Sequence, residues 1–92
     1  MGAFVETPLI SWSYDRESDV LYLSIGRARP AITHGAKDGL LIRTDPKTRE
    51  IVGLTILDYE SKFRRLTDLS WIDKEPLPAE LIKFLKNRPL VS

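Results

Sequence analysis

Residues 9 to 14, Leu-Ile-Ser-Trp-Ser-Tyr, alternate in polarity, with Ile10, Trp12 and Tyr14 on one side and Leu9, Ser11 and Ser13 on the other. That period of two predicts a strand. A polar, turn-like Asp15-Arg16-Glu17-Ser18-Asp19 follows, and then Val20-Leu21-Tyr22-Leu23-Ser24-Ile25, whose residues suit a pleated surface. Two such runs across a short polar loop predict a β-hairpin. Gly26-Arg27-Ala28-Arg29-Pro30 interrupts the pattern, since Pro30 cannot donate to a central ladder, and Ala31 to His34 has room for a short edge pairing. Asp38-Gly39 signals a turn into Leu40–Asp45, the third main strand. Pro46 to Arg49 turns again, with Pro46 pre-set for the second turn position, and Glu50 to Leu57 forms the fourth strand. Gly53 inside that strand marks a bulge or a close backbone approach. The sheet is expected as a β-meander, each strand beside the one before it.

The last third changes period. Pro78 to Asn87 predicts a helix of about three turns, with Pro78 at its first position and Glu80 complementing the dipole. Leu81, Ile82 and Leu85 form one stripe with Phe84 beside it, and Asn87-Arg88-Pro89 stops the helix. Residues 59 to 77 fit two readings, a helical turn over Tyr59–Leu66 and either strand or helix over Leu69–Ile72. The class is therefore α+β, an antiparallel β-meander of about four strands with a C-terminal amphipathic helix. At 92 residues it is one domain, a core over 9–58 and an extension over 59–92.

The second and fourth strands are apolar on both sides: Leu21, Leu23 and Ile25 against Val20 and Tyr22, and Val52, Leu54 and Ile56 against Ile51 and Leu57. A sheet with one wet face shows polar residues at alternate positions. Both faces are thus expected to be covered, the second either by residues 59–77 or by another subunit. A core at this length is thin, which favours a homodimer.

The chain has no cysteine and one histidine, so disulfides, thiolate-bound metals and thiol nucleophiles are excluded. A formal charge of +1 supplies no global field for nucleic acid or an anionic membrane. The opening Met1–Glu6 lacks the basic head and apolar run of a secretory signal, and Glu6 stands where myristoylation wants Ser or Thr. No stretch approaches the ~20 apolar residues of a membrane span, so a cytoplasmic protein without membrane contact is expected.

Candidate chemistry is sparse. Asp15 to Asp19 starts like a calcium loop, but its sixth and twelfth positions are Val20 and Gly26 where Gly and Glu are required. Asp15 and Asp19 are expected to bond to amides of their own turn. His34 has no nucleophile elbow to serve, and Asp58 with Glu60 is a pair that thirteen acids produce by chance. Ser24–Arg27 has too few glycines for a phosphate cradle. No cofactor or metal is expected, and the chain reads as a non-enzyme.

For nucleic acid there are two basic loops, Arg27 with Arg29 and Lys62 with Arg64 and Arg65, and Phe63, Trp12 and Tyr14 as stacking groups. Asp58, Glu60 and Asp68 flank the second loop and weaken the footprint.

Tyr14-Asp15-x-Glu17-x-Asp19-Val20-Leu21-Tyr22-Leu23-x-Ile25, then Asp38-Gly39-Leu40-Leu41-Ile42 and Val52-Gly53-Leu54-Thr55-Ile56-Leu57-Asp58, resembles a small prokaryotic family, domain of unknown function 2283. The likeness runs from about residue 11 to residue 59. It departs at Asp45–Glu50, where the family turn is acidic and ends in Gly, and it does not reach the tail after residue 61. The resemblance implies a compact β-rich domain with no assigned activity. Because some members are encoded beside small toxin-like proteins, it also implies an antitoxin-like role. Tyr14 and Tyr22 are expected to meet as a cross-strand pair.

The leading expectation is a dimeric interaction module that binds a small protein partner by sheet edge or tail, with Tyr22, Phe63, Trp71, Leu81, Phe84 and Leu85 as contacts. A nucleic-acid-associated regulator is the alternative. An enzyme or ligand binder built on the Asp15/Asp19 turn and His34 ranks last.

Overall fold

In the computed structural model, which describes residues 10–27 and 29–91, the alternating runs become five antiparallel strands and the tail becomes three short helices. Leu9, Ala28 and the opening segment Met1–Glu6 lie outside the described residues. The strands are β1 (Ile10–Asp15), β2 (Val20–Ile25), β3 (Ile32–Gly35), β4 (Leu40–Thr44) and β5 (Ile51–Leu57). The fifth strand is the edge pairing for which Ala31–His34 had room.

Their order across the sheet is β1-β2-β5-β4-β3. Strands β3, β4 and β5 form a meander, while β1 and β2 form a separate hairpin that joins it through β5. The β2–β3 connection therefore crosses the sheet, and the sequential order expected holds within each unit and not between them. Alternation of polarity specifies which face a residue occupies, but it says nothing about which strand lies alongside.

Asp38 and Gly39 both take positive φ, 52° and 83°, as a type I′ hairpin turn requires, and the Leu40 amide closes it on the Lys37 carbonyl. The next turn is held by Asp45, whose Oδ1 accepts from the Lys47 and Thr48 amides at 2.7 and 3.2 Å. Gly53 fulfils both expectations made of it. The β4–β5 register shifts beside it, and a Cβ there would sit 2.5 Å from the Leu23 carbonyl oxygen of β2.

Registers put Ile10, Trp12 and Tyr14 opposite Ile25, Leu23 and Leu21, and Leu21 and Leu23 opposite Ile56 and Leu54. Leu40 and Ile42 continue that face through β4. The tail lies over it. Tyr59, Phe63, Leu69, Ile72, Leu77, Leu81 and Leu85 join these strand residues in one buried cluster. Two 3₁₀ segments, Phe63–Arg65 and Ser70–Lys74, resolve the ambiguity of residues 59–77 in favour of short helical turns. Helix α1 spans Ala79–Lys86. Pro78, with ψ 149°, caps it from outside and does not occupy its first position.

Tyr14 and Tyr22 do not meet. Tyr22 stands opposite Ser13, so the two rings are on opposite faces, and Tyr14 instead packs edge-on against Tyr59 with centroids 6.2 Å apart.

Candidate interaction surface

The face opposite the core is laid out in three rows by the same registers. Asp15, Val20 and Leu57 form the first; Ser13, Tyr22, Thr55, Leu41 and Gly35 the second; Ser11, Ser24, Gly53, Arg43 and Thr33 the third. None of these side chains belongs to the buried cluster or packs on it. Residues 59–77 and α1 sit together on the other side, so they do not supply the second cover that the two-sided apolar strands called for. Tyr22 remains 43% exposed and Leu57 40%, which is unusual for large apolar residues in the middle of a sheet. Val20, between them, is buried by its own neighbours.

This geometry sorts the contact residues read from sequence. Tyr22 is available on the open face. Phe63, Leu81 and Leu85 are completely buried and belong to the chain's own core, and Trp71 and Phe84 pack against it half-buried. The helix stripe is thus internal: an amphipathic helix beside a bare sheet face covers that face before any partner can. Leu41 and Leu57 share the open face with Tyr22. Their signal was present in the apolar pairs Leu40-Leu41 and Ile56-Leu57, which fill both faces of a strand.

Asp15 behaves as expected, its Oδ1 accepting from the Glu17 and Ser18 amides. Asp19 does not. It adopts φ +58° at the end of the hairpin turn and aims its carboxylate across the fold. Oδ1 accepts from the Tyr14 hydroxyl at 2.6 Å and the Glu60 amide at 2.8 Å; Oδ2 accepts from the Ser61 amide and hydroxyl at 3.0 and 2.7 Å. Partial burial pushes this carboxyl up, but the Tyr14 hydroxyl, the Glu60 amide and Ser61 together outweigh it and bring it to about 2. The same bond holds the Tyr14 phenol protonated, up to about 12. Asp19 therefore clasps the start of the tail to the hairpin, and among the described residues no three His, Asp or Glu side chains gather to hold a metal ion.

The basic loops stand apart. Arg29 pairs with Asp45 at 3.3 Å and Glu50 at 3.7 Å, and Arg64 pairs with Glu60 at 3.0 Å. Arg27 follows the end of β2, whereas Lys62 and Arg65 lie beside its beginning, where Asp19 clasps the tail. A six-residue strand places these groups ~17 Å or more apart. Two of the five cations are neutralised, and the other three form no single footprint. Phe63, one of the proposed stacking groups, is buried, while Trp12 is 47% exposed on β1.

His34 lies on edge strand β3 with its Nε2 3.1 Å from the Thr44 Oγ1, at the rim of a groove that the tail leaves uncovered. Asp58 and Glu60 are not a working pair: Glu60 is held by Arg64, and Asp58 takes a left-handed turn (φ 53°) whose carbonyl accepts from the Lys62 and Phe63 amides. Among the described residues no helix is long and apolar enough to cross a membrane. Comparison with models of known families, with curated proteins and with solved structures gave no match.

Proposed function

We propose that the protein is a dimeric interaction module whose two copies pack face to face through Tyr22, Leu41 and Leu57. One observation carries this reading: the apolar strip lies on the sheet face that the tail does not cover. Asp15 and Arg43 occupy opposite corners of the same face. A two-fold contact that lays each corner over the other pairs acid with base twice, so the face is complementary to itself. A thin core supplies the need for such a contact. Among the described residues β1 and β3 are the outer strands, and each edge suits a protein partner that adds a strand. The resemblance to domain of unknown function 2283 fits a module of this kind in an antitoxin-like role, with no reaction of its own.

Sedimentation equilibrium tests the dimer directly. The wild type is expected at twice the mass of one chain at micromolar concentration. Tyr22→Lys and Leu57→Lys are each expected to weaken association by about 100-fold, roughly 2.7 kcal/mol. Because both side chains are exposed, circular dichroism should show both variants folded. A wild-type monomer at 100 μM, or a Tyr22→Lys protein that keeps the dimer mass, would sink this assignment.

A further inference from the structure

The tail stops short of the β3 edge and leaves a groove on the core side of the sheet. One part, about 420 Å³, is lined by Ile32, His34, Thr44, Asp45, Pro46 and Arg49. Two adjoining hollows extend it past Ile42, Ile51 and Pro76 toward Pro78, and Arg49 lines all three. The walls combine aliphatic and proline side chains with the polar groups of His34, Thr44, Asp45, Arg49 and Glu50.

Arg49 is held in the left-handed region at φ +65°, where a residue without a short polar side chain is disfavoured. Three of the other four non-glycine residues with positive φ are aspartates, which tolerate that region. The fourth, Arg88, anchors the tail through a bond to the Leu66 carbonyl. None of the ion pairs among the described residues includes Arg49. Two acids line the groove, and both are already engaged: Asp45 by two turn amides and by Arg29, and Glu50 by Arg29. A residue whose guanidinium has no ion pair among the described residues thus lines all three parts of the groove, on a backbone position that glycine would fill at less cost. Strain of that kind persists where function retains the side chain.

From this juxtaposition we infer that the groove binds an extended peptide segment presenting a carboxylate beside an apolar side chain. The carboxylate pairs with Arg49, and the apolar side chain lies along Ile32, Ile42 and Ile51. Arginine suits this task because its planar fork meets a carboxylate with two parallel bonds. The three hollows adjoin as one elongated trough, which suits a peptide segment better than a free small acid, since the latter needs enclosure for affinity. The site is on the face opposite the dimer contact, so it does not depend on that contact being correct.

N-acetyl-leucine is the smallest probe with the required groups, N-acetyl-leucinamide removes its charge, and 4-methylpentanoate keeps charge and side chain but removes the peptide group. In ¹H–¹⁵N spectra of the full chain, millimolar N-acetyl-leucine is expected to shift the amides of His34, Thr44, Arg49 and Ile51, and the amide probe should bind at least five-fold more weakly. Arg49→Gly should abolish the shifts while raising Tm by about 3 °C, because glycine relieves the strained φ. That pairing separates loss of the site from loss of the fold. Shifts that survive in Arg49→Gly, equal binding of both leucine probes, 4-methylpentanoate binding as well as N-acetyl-leucine, or no shift at all would each overturn the assignment.

Discussion

Gly53→Ala is expected to destabilise the protein by about 3 kcal/mol, the upper end of the range for overpacking a well-filled site. The added Cβ would lie 2.5 Å from the Leu23 carbonyl oxygen, closer than van der Waals contact permits. That oxygen belongs to the backbone of β2, so no rotamer change can relieve the clash. Relief requires β2 and β5 to move apart, and this pairing is what joins the β1–β2 hairpin to the β3–β4–β5 meander. A domain of this size has only ~5–15 kcal/mol of stability, so the loss should lower Tm by roughly 12–20 °C. Gly35→Ala serves as the control. Its Cβ would meet only the Leu41 Cδ2 at 4.0 Å, and its effect should stay within about 0.5 kcal/mol. Urea unfolding of the two variants decides the matter: a Gly53→Ala protein within 1 kcal/mol of wild type would mean that the strands do not approach as closely as the Leu23 contact requires.

The same glycine shows what the sequence made legible and why. Gly53 interrupts a run of strand-forming, mostly apolar residues, a local anomaly with few physical explanations, and a bulge or a close approach is among them. The hairpin, the Asp38-Gly39 turn and helix α1 were readable on similar grounds, because turn chemistry and period are written within a few residues. The joining of β2 to β5 was not, since any two strands with the right alternation pair equally well on paper. Nor was the tail's position. Leu81 and Leu85 look identical as a stripe whether they cover their own sheet or a partner's, and only the chain's path shows that they cover the Leu21/Leu54 side and not the side of Tyr22, Leu41 and Leu57. Arg49 is hard to read for a related reason: the sequence shows its charge, whereas its left-handed backbone is visible only in the fold.

Asp19 is the residue whose role was least visible, because three of its four donors come from 41 and 42 positions away. Asp19→Ala is expected to cost about 3 kcal/mol. A hydrogen bond to a charged group contributes ~1.5–3 kcal/mol; four of them are lost, but partial exposure reduces each substantially. Alanine also tolerates φ +58° less well than aspartate, adding ~1 kcal/mol. Asp19→Asn keeps the turn and part of the bonding, so it should cost roughly half as much.

The pH profile distinguishes this clasp from mere packing. The carboxyl titrates at about 2 in the fold against an ordinary 3.8, so its contribution is complete above pH 4 and disappears as pH falls toward 2. The Tyr14 phenol is displaced in the opposite direction, from 10 to about 12, chiefly by its bond to Asp19. Its contribution is complete below pH 10 and is lost as pH rises toward 12, because the unfolded chain ionises first. Tyr59 is also raised to about 12, by burial, and Asp45 and Asp68 are lowered by their own amide and hydroxyl donors, but none of the three owes its shift to Asp19. The difference between wild type and variant therefore isolates the clasp. Urea midpoints measured from pH 2 to 11 should give a gap that is widest between pH 4 and 10 and narrows at both ends. A gap of constant size across that range would mean that Asp19 acts only through its turn geometry and that its charge does not hold the tail to the sheet.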